Sequence, residues 1–414
     1  MLFIYNFLLF VSQIILKIAA PFHKKTGLFV AGRANVFADL QQALDPKDHV
    51  VWFHCASLGE FEQGRPLIEA VRKDQPTYKV VLTFFSPSGY EVRKDYPHAD
   101  VVCYLPLDTQ ANVRRFLDLV HPTLAVFVKY EFWPNMLLAL KKRKTTTLLV
   151  SGIFRKEHYF FKPFGKGMRN LLQSFTHFFV QDSNSLQLLR GIGLTNATHS
   201  GDTRFDRVYD ILNQDNSLPY VTAFKEGCYT LVAGSTWKED EDLLVEYINQ
   251  TATAQEKFII APHNIKEEDI LALKASIAKK TVLYSEKEGQ SLKDYQVFII
   301  DTVGILTKIY SVADVAYVGG GFTKSGVHNI LEPSVFGIPV VIGPNFVKFK
   351  EATDLIARDA CSTVGTSECF SRVLLDFKND ADLRREKGEK AFHYINESKG
   401  ASQKILAYMS SVLK

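Results

Sequence analysis

Two carboxylates stand where an apolar strand hands over to a helix, a place from which a side chain can be offered to a substrate. In HCASLGEFEQGRPLIEAV, His54 to Val71, Glu60 falls in a Gly-containing turn between strand and amphipathic helix. A carboxylate there can take the proton of a hydroxyl as it attacks, the work of a general base. It is equally the charge that any helix start favours. Gly59 beside it gives the backbone freedom to present the side chain. Glu131, in KYEFWPN, occupies the same kind of place, before a Trp-Pro helix start, and carries the same two readings. His54, ending its strand, reads as a hydrogen-bonded core histidine.

A second group of residues points to an anionic ligand. In VAGSTWKEDEDLL, Gly234, Ser235 and Thr236 lie between a strand and a helix rich in early acids. Backbone N–H groups and hydroxyls at such a helix start bind phosphate. The plainer reading makes Ser235 or Thr236 a cap, with Glu239 closing a capping box. In AYVGGGFTKSGVHNILEPSVFGIPVVIGP, Gly319, Gly320 and Gly321 allow a sharp turn after a strand and close approach of a ligand. Asn329 and Glu332 follow, three apart at a helix start. Backbone N–H groups there suit a phosphate and the carboxylate suits ribose hydroxyls; the plainer reading is Asn329 at N-cap with Glu332 at N3. The turn is neither GxGxxG nor GxxxxGK[ST], which disfavours an oxidoreductase or a kinase. Asp240-Glu241-Asp242 imitates a metal-binding DxD, but the pattern predicts a solvated helix face.

The elements that must position these residues repeat along the chain. HVVWFHCAS, YKVVLTFFS, ADVVCYLPLD, PTLAVFVKY, TTTLLVSG and HFFVQD are short apolar runs, most of them followed by a helical pattern. Runs rich in β-branched residues that alternate with helices predict buried parallel strands. One doubly wound domain therefore ends near Arg207. After a polar connection the pattern restarts with CYTLVAGST, EKFIIAPHN, TVLYSE, YQVFIID, DVAYVGGG and IPVVIGP, a second domain of similar size. The predicted division is an apolar N-terminal segment 1–20, a first Rossmann-like domain 21–207, a linker 208–225, a second Rossmann-like domain 226–385 and a C-terminal helix 386–414 that returns to the first domain. Two such domains facing a cleft would place their strand C-terminal ends, and their ligands, in it.

Bulk properties narrow the class. The chain has 414 residues, 46% hydrophobic and 23% charged, which suits two globular domains. A formal charge of +4 is far short of what would by itself imply nucleic acid. Five cysteines without CxxC spacing argue for reduced thiols and against a zinc site. MLFIYNFLLFVSQIILKIAA is apolar over about the 20 residues that a bilayer span requires. Lys17, His23, Lys24 and Lys25 follow the apolar run instead of preceding it, unlike a secretory signal, and predict an anchor with the rest of the chain in the cytoplasm. A buried first helix is the plainer alternative.

Taken together, the stretches HCASLGEFEQGRPLI, LTFFSPSGYE, YLPLD, KYEFWPNML, SGDTRFD, LVAGSTWKEDE, FIIAPHN, IIDTVGILTKIYSVADVAYVGGGF and GVHNILEPSVFGIPVVIGPNF resemble, in order and over nearly the whole chain, the 3-deoxy-D-manno-octulosonic acid (Kdo) transferases. These are membrane-anchored glycosyltransferases of the GT-B architecture. The resemblance implies an α/β fold of two doubly wound domains and transfer of Kdo from CMP-Kdo to a lipid A precursor, lipid IVA, at the inner membrane in lipopolysaccharide core biosynthesis. It implies Glu60 as catalytic base of a single inverting displacement, and Glu131 as support of the base or of the acceptor side. It implies Ser235, Thr236, His263, Gly320, Gly321, His328, Asn329 and Glu332 as the CMP site, with no metal, no cofactor and no nucleic acid. The chain departs from the family in Pro262-His263-Asn264, where an Arg commonly follows the proline, and in Gly326-Val327, where Gly-Gly commonly precedes His-Asn; which cation meets the phosphate is left open. FRKEHYFFKPFGKGMRN interleaves Arg155, Lys156, Lys162, Lys166 and Arg169 with aromatics and suits a phosphorylated, acylated acceptor at a membrane surface, or an ordinary solvated loop. The rival readings are a GT-B glycosyltransferase or an epimerase using another nucleotide sugar, and a non-catalytic nucleotide-sugar binding protein.

Overall fold

The computed structural model describes residues 2–413, which divide into two compact units, 2–207 with 398–413, and Val208–Glu397. The first is built on seven parallel strands: β1 (His49–Cys55), β2 (Tyr78–Phe84), β3 (Val101–Tyr104), β4 (Leu124–Val128), β5 (Thr146–Gly152), β6 (His177–Val180) and β7 (Ala197–His199). Their spatial order is β3-β2-β1-β4-β5-β6-β7. Alternate side chains go to opposite faces. Val50 and Trp52 of β1 join one core cluster, while Val51, Phe53 and Cys55 join the other. Helices cover both faces, which is why the strands read as unbroken apolar runs.

The second unit repeats the plan with β8 (Tyr229–Thr236), β9 (Glu256–Pro262), β10 (Thr281–Leu283), β11 (Val297–Ile299), β12 (Val315–Val318), β13 (Val340–Ile342) and β14 (Cys361–Thr363), all parallel. The order is β10-β11-β9-β8-β12-β13-β14. Leu231 and Ala233 face one core, Val232 the other. In each sheet the strand order reverses beside the first strand, between β1 and β4 and between β8 and β12. Such reversals open a crevice at the strand C-terminal ends.

Helix Ala381–Ser398 closes the second unit and helix Ala401–Val412 belongs to the first. Gly400, at φ 104°, separates them. Asp206 accepts from the N–H groups of Gly400 and Ser402 at 2.5 and 2.7 Å. Ile405 and Met409 then enter the core cluster of Val51 and Phe53. At the other end of the chain, helix Leu2–Ala19 is long and apolar enough to cross a membrane, one such helix among the described residues.

Candidate active site

At the first reversal, Ser57 is the N-cap of helix Leu58–Asp74, and Glu60 stands in its first turn at N3. The Ser57 hydroxyl donates to Glu60 Oε2. Lys129 Nζ lies 3.8 Å from Glu60 Oε1, and the Glu60 side chain is 18% exposed. Lys129 follows β4 directly and has φ 71°, a left-handed conformation that costs an L-residue free energy. Gly59 needs no such freedom: it is an ordinary helical residue at which a Cβ would meet only Ser57 Oγ, at 3.8 Å, so helix geometry, and not a flexible glycine, presents Glu60.

Glu131 is built in more deeply. Its Oε2 takes the ring of His54 at 3.0 Å and the indole N–H of Trp133 at 2.7 Å. His54, fully buried, meets Thr83 Oγ1 at 2.9 Å through Nδ1. A ring protonated on Nε2 donates to Glu131 and accepts from Thr83 at Nδ1, satisfying the chain of bonds. Pro134 then opens helix Pro134–Arg143 at N1. Cys55, at the end of β1, registers both acids: burial first, then Glu60, Glu131 and Glu62, raise its thiol well above the usual range. The sequence pattern found the two carboxylates and the core histidine; it assigned no role to Lys129, whose signal is a cation directly after an apolar strand.

At the second reversal the structure corrects the reading of the acidic run. Asp240 is completely buried, not solvated. Its carboxylate accepts from the Trp237 N–H at 2.9 Å, the Gly320 N–H at 2.8 Å and the Tyr317 hydroxyl at 2.5 Å. It thereby joins the start of helix Lys238–Gln250 to β12 and its glycine turn. The N-cap is Trp237 rather than Ser235 or Thr236, and the residue that closes back on it is Asp240 rather than Glu239. Thr236 donates instead to Glu241 at 3.0 Å, and burial raises that carboxyl above its ordinary value.

The three glycines are fixed by crowding. A Cβ on Gly319 would come within 2.5 Å of Ser235 O, one on Gly321 within 2.6 Å of Gly343, and Gly320 combines φ 89° with His328 at 2.8 Å. Ser235 stands across this turn at φ 53°, where the β8–β9 register breaks. Because Asp240 takes the Gly320 N–H, this glycine contributes shape, not a donor, to any ligand.

Three rings complete the group. Trp237 donates to His328 Nε2 at 2.8 Å with the planes 8° apart, and His263 stacks over both, 4.7 Å from Trp237 and 4.4 Å from His328. Burial, then the neighbouring His263, holds the His328 imidazole down at about 4. Burial also lowers His263. Where the family commonly has a cation, this chain offers neutral rings; His328, accepting at Nε2, carries its proton on Nδ1 and can donate from there.

Asn329 and Glu332 are not the cap pair that their spacing predicts. Helix Leu331–Ser334 is a single turn with Ile330 as N-cap. Asn329 Nδ2 donates to Glu332 Oε1 at 2.9 Å, its Oδ1 accepts from the Leu331 N–H at 3.2 Å, and Thr307 donates to Glu332 Oε2 at 2.7 Å. Among the described residues, no group of three or more His, Cys, Asp or Glu side chains is placed to hold a metal ion.

Residues 31–207 match the family model of the 3-deoxy-D-manno-octulosonic-acid transferases (kdotransferase). Over the whole chain, the protein is 23% identical to a 3-deoxy-D-manno-octulosonic acid transferase of Haemophilus influenzae, covering 100% of this chain and 99% of that one. It is 26% identical to the Aquifex aeolicus enzyme of the same name over 75% of this chain and 80% of the other. Among solved structures, a glycosyltransferase from Rickettsia africae aligns with a TM-score of 0.56 at 13% identity, over 89% of this chain and 99% of that one. A UDP-GlcNAc 2-epimerase from Neisseria meningitidis gives 0.56 at 14%, over 87% and 100%. The solved structures share the fold alone, whereas the Haemophilus relative shares sequence from end to end and the Aquifex one over three quarters of this chain. Residues 31–207 thus carry a domain of the 3-deoxy-D-manno-octulosonic-acid transferase family, and the chain as a whole is similar to the transferases of that name, on a fold that it shares with GT-B glycosyltransferases.

Proposed function

We propose that the protein transfers Kdo from CMP-Kdo to a lipid A precursor of the lipid IVA type, in lipopolysaccharide core biosynthesis at the inner membrane, with both catalytic domains on the cytoplasmic side. The observation that carries this reading is the placement of Glu60: a partly exposed carboxylate in the first turn after β1, at the strand-order reversal, gripped by Ser57 and facing Lys129. An acceptor hydroxyl is a poor nucleophile until its proton is removed during attack. Glu60 takes that proton as the acceptor oxygen bonds to the anomeric carbon of Kdo. The bond from that carbon to the CMP phosphate breaks on the opposite face, the electron pair leaves with CMP, and the configuration inverts.

The second domain supplies the donor site. Ser235, His263, His328 through Nδ1, Asn329 and Glu332 meet the nucleotide, and Gly320 and Gly321 shape the turn against which it rests. Thr236, engaged with Glu241, holds the wall of that site. Glu131 fixes the turn carrying Trp133 on the acceptor side. Arg155, Lys156 and Lys166 are exposed, as are Tyr159 and Phe164, at 49% and 68%. Cations beside exposed aromatics suit a phosphorylated, acylated acceptor.

Transfer from CMP-Kdo to a tetraacylated lipid A precursor, with products counted by mass, tests the reading in wild type and Glu60→Gln. Activity in the wild type that falls by roughly 10²–10⁴ in a folded, CMP-binding variant is expected of a lost general base. A CMP-binding wild type that transfers nothing would overturn the donor or acceptor assignment.

A further inference from the structure

The face that helix Leu2–Ala19 presents, and the way its N-terminal end is fastened, decide how it meets a membrane. Phe3, Ile4, Phe7, Leu8, Phe10, Ile14, Ile15 and Ile18 are all exposed, from 47% to 83%. At 3.6 residues per turn they fill one arc of about 160°. Tyr5, Asn6, Ser12 and Gln13 are half-buried and lie on the opposite arc. Leu2, Leu9 and Leu16, also half-buried, lie among them, so the side that carries the polar residues is turned toward the first domain and a wholly apolar side is turned away from it.

The N-terminal end of the helix, and the chain a further helix beyond its C-terminal end, are tied to that same domain. Near the N-terminal end, the Tyr5 hydroxyl donates to Asp108 Oδ2 at 2.9 Å, and Asn6 Oδ1 accepts from Asn135 Nδ2 at 2.7 Å. Asp108 also accepts from the N–H groups of Asn135 and Met136, both at 2.9 Å, which seats it at the start of helix Pro134–Arg143. After a short second helix, Lys24–Ala31, Arg33 donates to the carbonyls of Phe85 and Leu105 at 2.7 and 2.9 Å, at the ends of β2 and β3. In a helix crossing a bilayer, Tyr5 would stand about 21 Å along the axis from Ala19, on the far side from Asp108.

We propose, on the reading that this protein works at a membrane, that Leu2–Ala19 does not cross the bilayer but lies flat in the headgroup region of an anionic lipid surface. The exposed apolar arc enters the lipid and the opposite arc stays bolted to the first domain through Tyr5 and Asn6. Lys17, at the margin of the arc, and His23, Lys24 and Lys25 directly after it are exposed and complement anionic headgroups, and exposed Phe22 continues the apolar surface. Composition alone would let this helix span; what holds it in the interface plane is its fastening to the first domain, with buried apolar area and attraction to anionic lipid supplying the binding. Because Asn135 and Asp108 begin the helix that follows Glu131 and Trp133, the same fastening holds the acceptor-side turn at a fixed height above the lipid.

The test uses the full chain with one protease-cleavable tag before Met1 and a second after Lys414, in sealed membrane vesicles whose outer face carries the catalytic domains. Cleavage of both tags in intact vesicles, with release of the protein by alkaline carbonate, is expected for the flat helix. An N-terminal tag protected until detergent is added, while the C-terminal tag is cut, would establish a span and overturn the proposal with membrane binding intact. Protein that never sediments with vesicles would overturn the membrane reading itself. In a second arm, the double variant Phe7→Glu, Ile14→Glu is added to phosphatidylglycerol-containing vesicles. Partitioning at least about tenfold weaker than wild type is expected, because both charges enter the lipid-facing arc; unchanged partitioning would show that this arc is not the bound face.

Discussion

The two strand-order reversals occupy equivalent places in two similar sheets, yet they are furnished in opposite ways. At the end of β1 the carboxylate is partly exposed, set in an ordinary helical turn and faced by a lysine. At the end of β8 the carboxylate, Asp240, is wholly buried and spends its oxygens on the protein's own N–H and hydroxyl groups. The groups left near that turn are neutral rings and a half-buried serine. Topology thus fixes where a ligand can sit. Whether the place does proton chemistry or holds a ligand depends on which side chains keep an unspent oxygen or N–H.

This contrast predicts opposite consequences for removing the two acids. Glu60→Gln should lower transfer by roughly 10²–10⁴ while thermal unfolding and CMP binding stay near wild type. Asp240→Ala should leave three buried donors without an acceptor, at about 1–3 kcal/mol each. The expected outcome is a loss of at least about 3 kcal/mol of stability in chemical denaturation, with CMP binding lost along with the glycine turn. A stable, CMP-binding Asp240→Ala would erase the distinction between the two sites.

The ring cluster gives a smaller effect, read in pH. The His328 imidazole sits at about 4 in the folded domain against an ordinary 6.5. Between those values the unfolded chain binds a proton that the folded one does not, so stability rises with pH. Stability is therefore full above pH 6.5 and is lost as pH falls toward 4. In His328→Gln, which keeps an acceptor for the Trp237 N–H, unfolding followed from pH 7 to pH 4 should show a flatter slope. An unchanged slope would place the titration elsewhere.

How much of this was legible depended on whether the partners were local. Strands β1 to β6 and β8 to β13 announce themselves as apolar runs because both of their faces are covered. Strands β7 and β14 are three-residue edge strands whose last residues are exposed, so no run marks them. Glu60 could be singled out because strand, turn and helix are contiguous. Asp240 could not, since its partners Tyr317 and Gly320 lie 77 and 80 residues further on and its own neighbourhood looks like any acidic first turn. The Asn329 and Glu332 spacing suggested a cap, but the turn there ends after four residues, with Pro333 inside it.

The smallest effect separates backbone from charge at the two reversals. Lys129 and Ser235 both adopt left-handed backbone, at φ 71° and 53°, the one directly after β4 and the other near the end of β8. Glycine relieves that strain, although it also gives the unfolded chain more freedom, so Lys129→Gly and Ser235→Gly should each shift stability by no more than about 1 kcal/mol. Their functional signatures should then diverge. Lys129→Gly removes a cation 3.8 Å from Glu60, a partly exposed pairing worth about 1 kcal/mol. That lowers kcat by up to roughly tenfold with little change in KM for CMP-Kdo. Ser235→Gly removes a hydroxyl from the donor side and should raise that KM with kcat nearly unchanged, the signature of lost uniform binding. If both variants changed the same parameter, the two reversals would not divide base and donor between them, and the left-handed residues would be features of the fold alone.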